Sequence, residues 1–179
     1  DTATEALAYY PLQVEKFLAR YETLCAERGQ DAVRSAWDAE EQIIADEFIA
    51  HARAIRAERT AATAAPRILE LLKSWGGATL VYRRRLVDAP CYTLNHEEVL
   101  KALEEGVEFA ECLAPSAVQV DAHGHVSGLE VELQAPGEGG KLAATGQRQL
   151  MPARAVLVAA GTVPNTVLQR EAPTGLALE

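Results

Sequence analysis

No stretch of this 179-residue chain stays apolar long enough to span a bilayer, which excludes a transmembrane helix by length alone. No signal peptide is visible at its start. Basic residues are in deficit, with 17 Lys and Arg against 26 Asp and Glu and a net charge of -9. Phosphate affinity comes from clustered cations, so this balance argues against nucleic acid as the main partner. Cysteine is scarce. Cys25, Cys91 and Cys112 are scattered and show no CxxC spacing, which predicts reduced thiols, a cytoplasmic setting and no redox-active disulfide. Internal repeats are absent. What remains, with 49% hydrophobic residues, is an ordinary folded chain long enough for one domain or a domain with a helical appendage.

The composition shifts near Pro66, with a helical part before it and a mixed part after it. Asp1 to Tyr10 reads as a helix with Ala3, Ala6 and Leu7 on one face. Pro11 interrupts it or opens the next helix. Leu12 to Arg28 carries a stripe of Val14, Phe17, Tyr21 and Leu24 and ends at Gly29. The longest helix, from about Ala32 to Arg59, repeats Val33, Trp37, Ile44, Phe48 and Ile55 at helical spacing. These two long helices are expected to form an antiparallel pair joined at Gly29-Gln30, with the aromatic stripe as its core. His51 falls at the boundary of that pair.

Past Pro66, Arg67 to Trp75 reads as a short helix ended by Gly76-Gly77. Ala78 to Tyr82 reads as a buried strand of a parallel α/β sheet, and it runs into Arg83, Arg84 and Arg85. Nucleotides bind at the carboxyl edge of such sheets, and an Arg at the end of the second strand commonly meets the adenosine 2′-phosphate of NADP. The same arginines also fit a solvated strand end. Leu86 to Thr93 reads as a loop. Asn95 and Glu98 have capping-box spacing, with Leu94 and Val99 placed as a staple and Val99, Leu100 and Leu103 as an apolar face. Gly106 ends that helix and Val107 to Phe109 reads as a strand.

The remainder is β-rich. Ala117 to Val120 and Val126 to Leu133 flank a hairpin turn, Asp121 to His125, and Leu129, Val131 and Leu133 alternate as a buried face. Gln147 to Leu150 is a short strand pairing back. Ala155 to Ala160 is a continuous apolar run, the pattern of a central parallel strand that shares a sheet with Tyr82. Asp121, His123 and His125 have metal-like spacing but no fourth ligand, which favours a solvated turn. Cys91 near His96 lacks an activating partner for nucleophilic chemistry, and His96 itself reads as exposed.

One ordered series carries a resemblance. It comprises Val81-Tyr82-Arg83-Arg84, Glu97-Glu98, Glu104-Glu105-Gly106-Val107-Glu108-Phe109, His123-Gly124-His125-Val126-Ser127-Gly128-Leu129, and Val156 to Asn165. This series resembles the NAD(P)H-binding domain of the FAD-dependent pyridine nucleotide-disulfide oxidoreductases, nearest to the glutamate synthase small-subunit branch. It runs from Gly77 to about Leu168. Asp1-Thr2-Ala3-Thr4-Glu5-Ala6 also resembles the start of the helix that follows the family's glycine-rich phosphate loop.

The resemblance implies an α/β fold: an incomplete Rossmann-like NAD(P)-binding domain, cut from a longer flavoenzyme, with a helical insertion and a β-hairpin or meander. Residues 1–10 become the first Rossmann helix, 11–66 the insertion, 67–170 the rest of the domain and 171–179 a tail. It implies hydride transfer between NAD(P)H and FAD in the intact enzyme, with Arg83 and then Arg84 on the 2′-phosphate. Gly161 and Thr162 either mark the return toward the FAD domain or form an ordinary turn. The chain alone is expected to hold nucleotide weakly or not at all, because no glycine turn is present to cradle a pyrophosphate. A bare strand edge predicts a homodimer. A second reading makes the chain an interaction module whose helix pair docks a partner subunit or an electron-transfer domain.

Overall fold

Pro11 does not divide the N-terminal helix. In the computed structural model, which describes residues 1–61, 67–137 and 141–159, Thr2–Arg28 is one helix, α1. Leu7, Pro11, Val14, Leu18 and Tyr21 are its buried residues, spaced alternately by four and three. Pro11 therefore sits on the core stripe, where burial of its ring offsets the cost of about 3 kcal/mol that an interior proline imposes. The helix break expected at Pro11 is absent.

Gly29, in a left-handed conformation (φ 82°), ends α1, and a short helix α2 follows at Gln30–Arg34. The long third helix, α3, spans Ala39–Thr60 and not Ala32 onward. Its start is set by a capping box. The Asp38 carboxylate accepts the Glu41 N–H (2.8 Å), and the Glu41 carboxylate accepts the Asp38 N–H (2.9 Å). Asp38→Ala should lower stability by about 1 kcal/mol and the midpoint by about 2–4 °C, with Asp38→Asn much milder. Thermal unfolding followed by circular dichroism checks this.

α1 and α3 pack through Val14, Leu18, Tyr21, Ile49, Ala52 and Ile55, with Val33 of α2 completing the cluster. Phe17 stands edge-on to Phe48 (5.6 Å between centroids), and Tyr21 stacks on Trp37 (5.8 Å). Tyr10–His51 and Phe17–Phe48 run in opposite directions along the two helices, as do Glu15–Arg59 and Glu22–Arg56, so α1 and α3 pack in the antiparallel sense. Their connection is longer than Gly29-Gln30, since α2 and the turn to Asp38 intervene.

The mixed part begins with α4 (Ile68–Ser74), closed by Gly76 and Gly77, both at positive φ. β1 (Thr79–Tyr82) pairs in parallel with β2 (Glu108–Glu111), with Thr79 opposite Glu108 and Tyr82 opposite Glu111. A parallel pair needs a crossover. Here it consists of a 3₁₀ turn (Leu86–Asp88), α5 (Pro90–Leu94) and α6 (His96–Glu104), so the expected loop after Arg85 is largely helical. Leu7, Leu72 and Val107 form a second core, with Ala3, Ala78, Ala102 and Phe109 against it. The first turns of α1 thus pack on the strand pair.

The capping box expected at Asn95 does not form. Asn95 gives its N–H to the Cys91 carbonyl (2.8 Å) to close α5, and its backbone is not extended as a cap requires (φ -136°, ψ 45°). Leu94 is 78% exposed and makes no staple, and Leu100 and Leu103 are exposed as well. Only Ala102 of α6 packs into the second core among the described residues.

β3 (Leu113–Val120), β4 (Val126–Pro136) and β5 (Leu142–Pro152) form an antiparallel sheet with β4 central. β5 is longer than the expected Gln147–Leu150. Val131 is fully buried and Leu129 half-buried, but Leu133 is exposed, so the alternating face is only partly covered. Residues 155–159 are not a strand, and Leu157 and Val158 are exposed. Tyr82 and Leu157 share no sheet among the described residues. Arg154, just before this run, is held by Glu47 of α3 (2.8 Å), and an apolar run becomes a central strand only where both faces are covered. The described residues are mixed α and β with two small sheets. No described helix is long and apolar enough to cross a membrane.

Candidate functional site at the end of the parallel strands

Because β1 and β2 run in parallel, their carboxyl ends open at one edge. Arg83, Arg84 and Arg85 leave β1 there, and Glu111 and Cys112 leave β2. Arg85 is engaged in a bidentate pair with Asp88 (2.8 Å twice), which holds the Asp88 carboxyl below its ordinary value. The Glu111 carboxylate accepts the Leu86 N–H and so fixes the start of the 3₁₀ turn. The Cys112 N–H donates to the Arg84 carbonyl (3.2 Å), and the Cys112 carbonyl accepts the Gln134 N–H (2.7 Å). Cys112 sits at φ 56°, a left-handed conformation uncommon outside glycine. It is the corner at which the chain passes from the parallel pair to the antiparallel sheet.

Arg83 and Arg84 are exposed, and neither joins an ion pair among the described residues. Two uncommitted guanidiniums at a strand end can take a phosphate dianion in fork-like contacts. The described residues supply no glycine-rich turn beside them for a pyrophosphate. Gly161 and Thr162 lie outside the described residues. Glu111 and Cys112 were not singled out from the sequence. Their place follows from the parallel register of β2, which no local motif announces.

Two other clusters stand apart from this edge. The Tyr10 hydroxyl lies 2.7 Å from His51 Nδ1, and the imidazole stacks on Trp75 (3.8 Å, 14°). Burial pushes the His51 pKa down and the Tyr10 pKa up, favouring the neutral form of each where α1, α3 and α4 meet. At the β3–β4 turn, the Asp121 carboxylate accepts the His123 and His125 N–H groups (2.9 Å each), bonds that hold its carboxyl below the usual range, His125 contributing most. Both imidazoles reach Glu40 on α3, so the turn is not merely solvated as its sequence suggested. Among the described residues no group of three or more His, Cys, Asp or Glu converges to hold a metal ion. Cys91 and His96 are exposed on α5 and α6. An apolar cleft lined by Phe17, Trp37, Ile44 and Phe48 is remote in sequence from the arginines and includes neither.

No family model matches the chain. It is 36% identical over 133 residues to a protein of Rickettsia prowazekii (strain Madrid E) described as "Uncharacterized protein RP006". The match covers 74% of this chain but 17% of that relative, so the chain spans about a sixth of the length of the curated protein it matches. A 133-residue match within 179 residues cannot avoid the middle of the chain. β1, its arginines, the crossover and β2 therefore lie within the shared region.

Proposed function

We propose that this chain is the NAD(P)H-binding portion of a flavin-dependent oxidoreductase. The observation that carries this reading is the parallel unit β1–α5–α6–β2, with Arg83 and Arg84 at its carboxyl edge and free of ion pairs among the described residues. Two further features support it: the first turns of α1 cover the strand pair, and an antiparallel three-stranded sheet follows β2 directly. The reading does not draw on residues 155–159, which do not join β1 in a sheet.

Arg83 and Arg84 are the residues that would hold the 2′-phosphate. Their planar forks match its oxygens, and no carboxylate pair has to be broken first. A nicotinamide dinucleotide held there would supply a hydride for a flavin. The contribution of this chain is placement. The alternative, a docking module built on the helix pair, has less support, because Val33, Ile49 and Ile55 are buried against α1 and form a core. A homodimer of the isolated chain remains consistent with the outer edge of β1, which carries no strand among the described residues.

Calorimetric titration tests the proposal. The isolated chain is expected to bind NADPH no tighter than about millimolar, since phosphate contacts alone contribute about 1.5–3 kcal/mol each. In the full polypeptide, replacing Arg83 and Arg84 together by Ala should weaken NADPH at least about 100-fold and change NADH binding less than about threefold. An equal loss for both nucleotides, or none for either, refutes the assignment of these two arginines.

A further inference from the structure

We propose, on the reading of Arg83 and Arg84 as the 2′-phosphate site, that Glu111 is a positioning residue for that phosphate. It fixes the backbone from which the two arginines project, so their guanidiniums are held in place before the ligand arrives. Glu111 is the last residue of β2 and stands opposite Tyr82, the residue before Arg83. Three arginines follow Tyr82, yet Glu111 joins no ion pair among the described residues. Its carboxylate accepts the N–H of Leu86, just past the three arginines.

The next residue acts in the same sense. The Cys112 N–H donates to the Arg84 carbonyl (3.2 Å), so the end of β2 grips the arginine segment at Arg84 and again at Leu86. On the near side, Tyr82 is held in the parallel pair. On the far side, the Ala89 N–H donates to the Leu86 carbonyl (2.9 Å), and Ala89 is buried. Arg85 lies between the two grips and is turned onto Asp88. Arg83 and Arg84 are left with a fixed backbone and exposed side chains.

Charge alone would make Glu111 a poor neighbour for a phosphate. In water, two like unit charges about 6 Å apart cost roughly threefold in affinity. Order opposes that cost. A loose segment gives up backbone freedom when it closes on a ligand, and the loss subtracts from binding. A segment already held at both ends avoids most of it. The reach of the Glu111 side chain therefore matters to the phosphate more than its charge, and those two properties can be changed separately.

The test uses calorimetric titration of NADPH and NADH with the full polypeptide. Glu111→Gln removes the charge and keeps an acceptor oxygen at the same reach. Glu111→Asp keeps the charge and draws it back by one methylene. Glu111→Ala removes both. Positioning predicts NADPH affinity within about twofold of native for Glu111→Gln and about three- to tenfold weaker for Glu111→Asp and Glu111→Ala, with NADH changed less than about twofold in all three. The Leu86 amide should exchange with solvent faster in the Asp and Ala variants and at the native rate in Glu111→Gln. Control by charge predicts the reverse order, with Gln and Ala tighter and Asp native. That order, or a native NADPH-to-NADH ratio in Glu111→Asp, overturns the proposal. Should Glu111→Ala fail to fold, the contrast between Asp and Gln still decides. The double variant of Arg83 and Arg84 keeps the two ideas apart. An equal loss of both nucleotides there, or no loss, removes the phosphate site and the role of Glu111 with it. A selective loss of NADPH there, beside a native ratio in Glu111→Asp, removes the role of Glu111 alone.

Discussion

Replacing Ile55 by Ala should cost about 3–4 kcal/mol of stability and lower the unfolding midpoint by roughly 6–15 °C. Ile55 is fully buried and belongs to the cluster that also holds Leu18, equally buried, and Val14 and Ala52. Removing three carbons forfeits their transfer energy and leaves a void. Its walls cannot close easily, because α1 and α3 are fixed on either side by Glu22–Arg56 and Glu15–Arg59 and by the stack of Tyr21 on Trp37. Leu18→Ala should behave alike, and the double variant should cost less than the sum, since both empty the same space. Ile43→Ala is the control. Ile43 is 70% exposed, and its loss should stay within about 0.5 kcal/mol. Guanidinium denaturation measures all four. A loss below about 1 kcal/mol for Ile55→Ala would mean that the two helices do not share a core.

Gly106→Ala is the second large effect, at about 2–4 kcal/mol. Gly106 ends α6 at φ 91°, where any side chain is strained. An added Cβ would fall 2.2 Å from Leu69 Cδ1 and 3.2 Å from Leu69 Cγ and Lys73 Cε. Lys73 can move at little cost. Leu69, half-buried on α4, must also swing its Cδ1 aside, and the same helix carries Leu72, which sits in the second core with Val107, the next residue in the chain after Gly106. Strain and collision therefore act at the junction that feeds β2. If the parallel pair orders Arg83 and Arg84, Gly106→Ala should also weaken whatever those arginines bind. The checks are a thermal melt and the backbone amide spectrum of residues 79–82 and 108–111. An unchanged spectrum with full stability would contradict the close approach of α6 to α4.

Much of this architecture could be read from residues close together in sequence. Ala78 to Tyr82, Val107 to Phe109 and the hairpin around Asp121 announced themselves by short apolar runs, glycines and alternation, which are local properties. Where a local signature had two possible uses, the sequence could not choose. Asn95-x-x-Glu98 and Asp38-x-x-Glu41 have the same cap spacing, yet only the second forms, because the Asn95 N–H is already spent on Cys91. Pro11 reads as a break and is instead part of a buried stripe, since what surrounds it decides the outcome. The apolar run at 155–159 has the composition of a central strand, but strand formation needs neighbours, and none is present among the described residues. At the candidate site, the arginines were legible from their position after a strand. Glu111 and Cys112 depended on register, and the bond from Glu40 to histidines over eighty residues away had no local signal at all.

The unbroken course of α1 has one mechanical consequence. A helix of 27 residues is a rod about 40 Å long, and this one is gripped by the strand pair near Leu7 and by α3 from Val14 to Tyr21. The two grips lie within one stiff beam. Any tilt of the helical arm is therefore geared to the underside of the parallel strand pair, and the arm cannot swing as an independent flap.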